Sequence, residues 1–337
     1  MPAMNLVQAI NNALDLKLAQ DPDILLFGED AGLEGGVFRV TQGLQAKYGE
    51  RRVFDTPLSE SVLLGAGLGM AVTGLRPIVE IQFSGFMYPA MNQLVTHVAR
   101  MRNRSRGVFT VPMTIRMPYG GGIRALELHS ESMEAIYGHI PGLQVVIPSC
   151  PYDAKGMLIS AIEDDDPVIF LEPKRLYNGP FDGDADKPAV AWSKHPKGEV
   201  PDGHYTVPLG KADIVRPGSA ATIVTYGTMV HVAVAAAESA NIDAEIIDLR
   251  SLVPLDIDTI TASVKRTGRV VIVHEATRTS GFGAELSAQI QEEAFWHLEA
   301  PIERVTGWDT PYPHAFEWQY FPSQKRIIDA LNRTLGV

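Results

Sequence analysis

Cysteine is almost missing from this chain of 337 residues: Cys150 is its single example, so no intrachain disulfide framework is available. That scarcity fits a reducing compartment, and a cytoplasmic location is expected. Cys150 sits at a strand end in "QVVIPSCP" and reads as a small packing residue rather than a nucleophile. Positive charge is also scarce, with 29 Lys and Arg against 40 Asp and Glu and a formal net charge of −11. No basic stripe interleaved with aromatics is present, so nucleic acid is not an expected partner. Long apolar runs are missing too. The longest uncharged stretch, Pro217 to Ala237, is broken by "YGTM" and splits into a strand, Ala220 to Tyr226, and a helix from near Thr228. The opening "MPAMNLVQAINNALDLKLAQD" has neither a basic start nor an unbroken apolar core, which favours an amphipathic helix over a signal peptide. No membrane span is expected. A Walker A loop is absent as well: "GK" at Gly210–Lys211 lacks the upstream glycine and is followed by Ala212.

What is there has a globular balance, 45% hydrophobic and 20% charged. The length exceeds one ordinary core and suggests two domains. Short β-branched runs ("ILLFG", "RVF", "PIVEIQF", "MTIRM", "LQVVIP", "PVIFLE") alternate with segments of helical length, among them Ser59–Thr73, Gly85–Ser105 and Tyr152–Glu163. Strands apolar on both faces and separated by helices indicate a mostly parallel sheet covered on two sides. From Asn178 to Pro208 the period is lost among Gly, Pro and Asp, the mark of a linker or long excursion. Alternation then resumes with "AATIVTY", "DAEIIDL", "RVVIVHE" and "IERVTG". The fold class is α/β: a domain over 1–185, a linker over 186–208 and a second domain over 209–337.

Three stretches carry candidate chemistry. In "DTPLSESVLLGAGLGMAVTG", Gly65, Gly67 and Gly69 form G-x-G-x-G, but a dinucleotide fingerprint needs a strand before it and a glycine where Met70 stands. The run reads better as a tightly packed helix with Ser59 as N-cap and Gly65 and Gly69 on one close-approach face. Glu60 then lies in the first helical turn. Its bland role is to favour the helix dipole, about 0.3–1 kcal/mol; its functional role is a carboxyl kept partly apolar so that it holds a proton. In "RMPYGGGIRALELHSES", Gly120 to Gly122 suggest a mobile loop, and His129 is flanked by Glu127 and Glu131. Metal ligation suits this alternate spacing poorly, which leaves a solvated polar loop or a catalytic histidine. "IEDDDP", Ile162 to Pro167, reads as a charged helix end rather than a divalent-ion site.

Taken together, "FDTPLSE" (54–60), "PIVEIQFSGFMYPAMNQL" (77–94), "LHSES" (128–132), "PGLQVVIPSCPYDAKGML" (141–158), "GFGAEL" (281–286) and "DTPYPHAFE" (309–317) resemble the beta subunit of the thiamine-diphosphate-dependent 2-oxoacid dehydrogenases. The resemblance runs nearly end to end. It implies a pyrimidine-binding α/β domain followed by a transketolase C-terminal-like domain, and oxidative decarboxylation with acyl transfer to a lipoyl group. It puts Glu60 on N1′ of the cofactor's aminopyrimidine, a shared proton that prepares the ring to deprotonate the thiazolium. Leu58, Gln82 and Phe86 match positions lining the pyrimidine pocket, with ordinary core packing still open for Leu58 and Phe86. His129 matches the histidine that assists acyl transfer. Relatives read H-S-Q-S where this chain has "HSES", so Glu131 is expected to raise the His129 pKa if the two side chains meet.

The family also holds a structural potassium ion through backbone carbonyls, and the matching positions are Met113, Thr114, Ala161, Asp164 and Asp166. Its diphosphate and Mg²⁺ are held by G-D-G and a downstream Asn, hard oxygen ligands. The nearest stretch here, "DGDAD" at Asp182–Asp186, lacks a suitable Asn. The resemblance therefore implies half an active site, an alpha subunit carrying the diphosphate and Mg²⁺, two alpha and two beta chains, and a dihydrolipoyl acyltransferase as further partner. "IEDDDPVIFLEPKRLY" and "LEAPIERVTGWDTPYPHAFE" look closer to branched-chain members, so 3-methyl-2-oxobutanoate is expected over pyruvate. A non-catalytic α/β scaffold is the reading from another class.

Overall fold

The computed structural model describes residues 1–177 and 197–336. Asp182–Asp186 and the 186–196 part of the expected linker lie outside the described residues.

Seven strands form the first sheet, in spatial order Ser251–Val253, Gln144–Val146, Val168–Pro173, Thr114–Tyr119, Arg76–Glu80, Ile24–Gly28 and Val53–Asp55. All neighbours are parallel except the Ser251–Val253 pair, which runs antiparallel and comes from the C-terminal half. The strands Thr114–Tyr119 and Val168–Pro173 are buried at every position, as expected where helices cover both faces. One face carries the N-terminal helix, Leu6–Gln20, started by a reciprocal capping box between Asn5 and Gln8. Its Leu6, Ile10, Ala13 and Leu14 share an apolar cluster with Ala154, Met157, Leu158 and Ile162 of the helix Pro151–Glu163. The opposite face carries the helix Glu60–Val72 and the broken segment after Phe83, where a 3₁₀ stretch at Ser84–Ala90 and a π turn at Leu94–Val98 replace the single helix expected over 85–105.

A second sheet of five strands, in order Glu303–Val305, Val270–Val273, Ala221–Thr225, Ala244–Asp248 and Asp213–Arg216, is parallel except for its last pair. The uncharged run resolves as expected into the strand Ala221–Thr225 and the helix Thr228–Ser239. No helix among the described residues is long and apolar enough to cross a membrane.

Two departures from the sequence reading concern how the halves join. Residues 197–208, expected to be part of a linker, pack on the first sheet's helix layer: Val200 and Val207 are buried, and Tyr205 stacks on Tyr152 at 4.7 Å. Secondly, one apolar cluster runs without a break from Met117, Tyr119 and Ile147 of the first half to Tyr226, Leu249 and Ile272 of the second. Polar links cross the same boundary, with the Tyr226 hydroxyl donating to Glu134 at 2.8 Å and Ser149 to Asp248 at 2.5 Å.

Candidate active site

Open parallel sheets present their chemistry at the carboxyl ends of the strands. Here four of those ends converge. Ile24–Gly28 leads to Glu29 and Asp30, Val53–Asp55 to the Leu58–Glu60 segment, Arg76–Glu80 to Gln82 and Phe86, and Thr114–Tyr119 to Gly120–Gly122 and His129.

Glu60 is the first residue of its helix and is half-buried. Ser59 occupies the N-cap position without capping through its side chain. Its backbone N–H instead donates to the Glu29 carboxylate at 3.1 Å. Glu29 is 2% exposed, and burial followed by the charge of Glu60 pushes its pKa upward. Two carboxyls thus share the rim, one enclosed and one reachable. Sequence reasoning missed Glu29; its position just past a parallel strand was the available signal. Gln82 donates to Asp30 at 2.9 Å, which ties it to the same edge. The helix itself corrects one expectation. Gly67, not Gly65 or Gly69, is the close-approach glycine, since a methyl group there would meet Met113 Cε at 2.7 Å and Val79 Cγ2 at 3.1 Å, whereas Gly69 has open space. The apolar face follows the inward side of the helix, through Leu63, Leu64, Gly67 and Ala71.

Leu58 is 81% exposed. Leu33 and Val62 are also exposed, at 84% and 64%. These apolar side chains give the Glu60 rim an unfinished character.

Phe86 lies edge-on to His129 with ring centroids 5.0 Å apart, and Phe83 contacts the same imidazole at 4.5 Å. His129 Nδ1 is buried without a hydrogen-bond partner among the described residues, an orphaned polar atom of the kind that functional sites hold. The Glu131 carboxylate does not meet His129; it accepts from the Tyr88 hydroxyl at 3.1 Å, and burial raises its pKa. The expected tuning of His129 by Glu131 therefore lacks its contact.

The glycine loop also departs from expectation. Gly120, Gly121 and Gly122 are all buried, and each is crowded by another side chain. A methyl on Gly121 would lie 2.6 Å from Phe321 Cζ and collide with the Tyr312 hydroxyl. Gly120 and Gly122 have φ of +75° and +102°, the region that favours glycine. Close packing and backbone geometry, rather than mobility, account for the three glycines.

The remaining candidates lie on the far side of the first half. Met113 and Thr114 are buried at the start of their strand, where the Met113 carbonyl accepts from Val168 N–H at 3.0 Å. Ala161 is buried in the Pro151–Glu163 helix. Arg76 donates to the Asp164 carbonyl at 2.9 Å and to the Asp165 carboxylate at 2.7 Å, and Arg102 pairs with Asp166 at 2.5 Å. "IEDDDP" is thus a charged helix end answered by arginines. Among the described residues no group of three or more His, Cys, Asp and Glu is placed to hold a metal ion. Cys150 is half-buried before the Pro151 helix, where burial and then Asp153 push its thiol pKa well up.

Residues 2–180 match the family described as "Transketolase, pyrimidine binding domain" and residues 210–327 the family "Transketolase, C-terminal domain". The chain is 62% identical over 335 residues to "2-oxoisovalerate dehydrogenase subunit beta" of Pseudomonas aeruginosa, covering 99% of this chain and 96% of the relative. It is 52% identical to "Pyruvate dehydrogenase E1 component subunit beta" of Acholeplasma laidlawii, covering 97% and 96%, and 47% identical to the protein of that name from Bacillus subtilis, covering 99% of each. A solved structure titled "Split gene transketolase, inactive beta4 tetramer" superposes with a TM-score of 0.76 at 20% identity over 99% of each chain, a likeness of fold.

Proposed function

The chain belongs to the beta-subunit family of the thiamine-diphosphate-dependent 2-oxoacid dehydrogenases, and from that premise we propose that it carries the proton-handling half of an active site acting on a branched-chain 2-oxoacid. Glu60 holds the proton shared with N1′ of the cofactor's aminopyrimidine, while Leu58, Gln82 and Phe86 receive the ring. The observation that carries this reading is the carboxyl pair. Glu29, buried and fixed by the Ser59 N–H, stands beside the reachable Glu60. Burial and the neighbouring Glu60 charge raise the pKa of Glu29, so a carboxyl that favours its protonated form stands directly behind the one offered to the ring. The residues fit the aminopyrimidine end of the cofactor: an acceptor carboxyl, an amide, an aromatic face and an imidazole with an open Nδ1. When bound, thiamine diphosphate supplies the carbon nucleophile and the electron sink for the departing carboxylate. His129, on its aromatic shelf, orients the acyl group and handles a proton as the group passes to a lipoyl sulfur.

An alpha subunit supplies the other half, with the diphosphate and Mg²⁺, in an assembly of two alpha and two beta chains. The exposed Leu33, Leu58 and Val62 around Glu60 support a second chain there, since burying each such side chain contributes about 1.5–3 kcal/mol. A potassium ion on the carbonyls of Met113, Thr114, Ala161, Asp164 and Asp166 is part of the same reading. The Val111 N–H bond to the Asp165 carbonyl brings the two segments together; the Asp164 carbonyl already accepts from Arg76, a cation that competes for that oxygen. The favoured substrate is 3-methyl-2-oxobutanoate, on the strength of the 62% identical relative, with pyruvate second. A dihydrolipoyl acyltransferase takes the product acyl group.

Co-expression with an alpha-type chain and assay across several 2-oxoacids tests the reading. Its expected result is a kcat/KM for 3-methyl-2-oxobutanoate about tenfold or more above that for pyruvate, within the range that a few methyl groups provide. A preference for pyruvate reassigns the substrate, and robust decarboxylation by this chain alone refutes the half-site.

A further inference from the structure

The Gly120–Gly122 loop leaves the Thr114–Tyr119 strand and leads, across exposed Ile123, Leu126 and Leu128, to His129. Its base is gripped from the C-terminal half. The Glu317 carboxylate, fully buried, accepts the Gly122 N–H at 3.1 Å, the Arg124 N–H at 3.0 Å and the Tyr312 hydroxyl at 2.7 Å. Glu275 accepts the Gly121 N–H at 3.3 Å, and Lys174, buried beneath, donates to the Gly120 carbonyl. At the loop's other end the Glu131 carbonyl accepts from Gly120 N–H at 3.3 Å and from the Ser84 hydroxyl at 2.8 Å.

We propose that Glu317, assisted by Glu275, is a positioning residue for His129: two carboxylates of the C-terminal half fix the backbone of the loop that presents the imidazole. The assignment rests on the reading of His129 as the group serving acyl transfer. Three glycines in a row would otherwise hinge freely, because glycine populates both signs of φ. A carboxylate is suited to the task, since its two oxygens take two N–H groups two residues apart with charge-assisted bonds. An amide offers one acceptor oxygen and sets an NH₂ against the second N–H. The aromatic shelf of Phe83 and Phe86 fixes the ring from the first half. Glu317 fixes the arm that brings the ring to it, so the histidine's placement depends on how the two halves dock.

Glu317→Gln in the assembled alpha–beta enzyme, with Tyr312→Phe as the milder variant, tests this. Decarboxylation coupled to an artificial electron-accepting dye is expected to stay within about threefold of the parent, while acyl transfer to a free lipoyl domain falls about tenfold or more. Amide hydrogen exchange in the 120–131 segment is expected to quicken about tenfold. Parallel loss of both rates, or an undiminished transfer rate, overturns the assignment. If the unmodified assembly transfers nothing to lipoyl, the functional reading fails and exchange alone decides the clamp: unchanged protection at 121–124 overturns it, and faster exchange supports it. Should Glu317→Gln not assemble, Tyr312→Phe is read on the same two rates, with a smaller loss confined to transfer expected and an equal loss in both overturning the assignment.

Discussion

Glu60 and Glu317 are the same side chain in opposite settings. Glu60 starts a helix at the open rim, half-buried, with another carboxyl beside it and exposed Leu58 and Val62 around it. Glu317 is sealed between the halves and accepts from two N–H groups and a hydroxyl. A carboxylate held by three internal donors is a structural fixture; one with a like charge nearby and open acceptor capacity is available to a ligand. The electrostatic setting, not the residue type, separates the proposed proton carrier from the proposed clamp.

That contrast breaks most sharply at Glu60. Glu60→Gln in the alpha–beta assembly is expected to lower cofactor-dependent decarboxylation by about 10²–10⁴-fold with assembly intact, the usual range for losing acid–base help. Unchanged turnover, measured by CO₂ release, returns the chain to the scaffold reading.

The sealed boundary carries its own titration. Burial raises the carboxyls of Glu134 and Asp248 to about 7 from 4.5 and 3.8, and lowers the Lys174 ammonium to about 7 from 10.5. Between the unfolded and folded values the native carboxyls bind more protons than the unfolded chain, so stability falls as pH rises from about 4 to about 7. The native lysine binds fewer, so its contribution to stability rises from pH 7 towards 10.5. Denaturant melts across pH should show a minimum near neutrality. Glu134→Gln should flatten the acid side by on the order of 3 kcal/mol. A curve that climbs steadily from pH 4 to 7 in both proteins sinks this account.

Size probes the clamp without touching charge. Gly121→Ala forces a methyl group against Tyr312 and Phe321 and is expected to cost about 1–3 kcal/mol by overpacking. Gly69→Ala, in open space, should stay neutral or stabilise slightly. Equal melting shifts for the two would remove the distinction between packed and spare glycines. The smallest effect belongs to the open rim: Leu58→Ala should change the stability of the isolated chain by less than about 0.5 kcal/mol, yet weaken alpha–beta association measurably by calorimetry. A large loss in the isolated chain would mean that Leu58 is already packed.

Much of the framework is legible in the order of residues. All ten quoted β-branched runs contain strands, because apolar residues on both faces of a short segment have no other stable use in a parallel sheet. The site is legible in part. Glu60, Gln82, Phe86 and His129 stand in quotable motifs, whereas Glu29 follows an ordinary strand; Glu275 and Glu317 also end quoted stretches, but the loop they bond lies about 150 and 190 residues away, a link no local pattern carries. The glycine loop misleads for the same reason: the local pattern shows freedom, and the constraint arrives from the other half of the chain.

Left to itself, the order of residues determined where most strands and the longer helices form, the absence of an intrachain disulfide framework, and the acid and imidazole on which a family resemblance rests. Periodicity, capping and residue chemistry act over a few neighbours, and those neighbours are written in order. Tertiary structure alone decided which carboxylate is satisfied and which is left open, that Gly67 rather than Gly69 meets the sheet, and that a strand from the second half completes the first sheet. Those outcomes depend on desolvation and hydrogen bonds between groups distant in sequence, quantities that exist only once the chain has closed on itself.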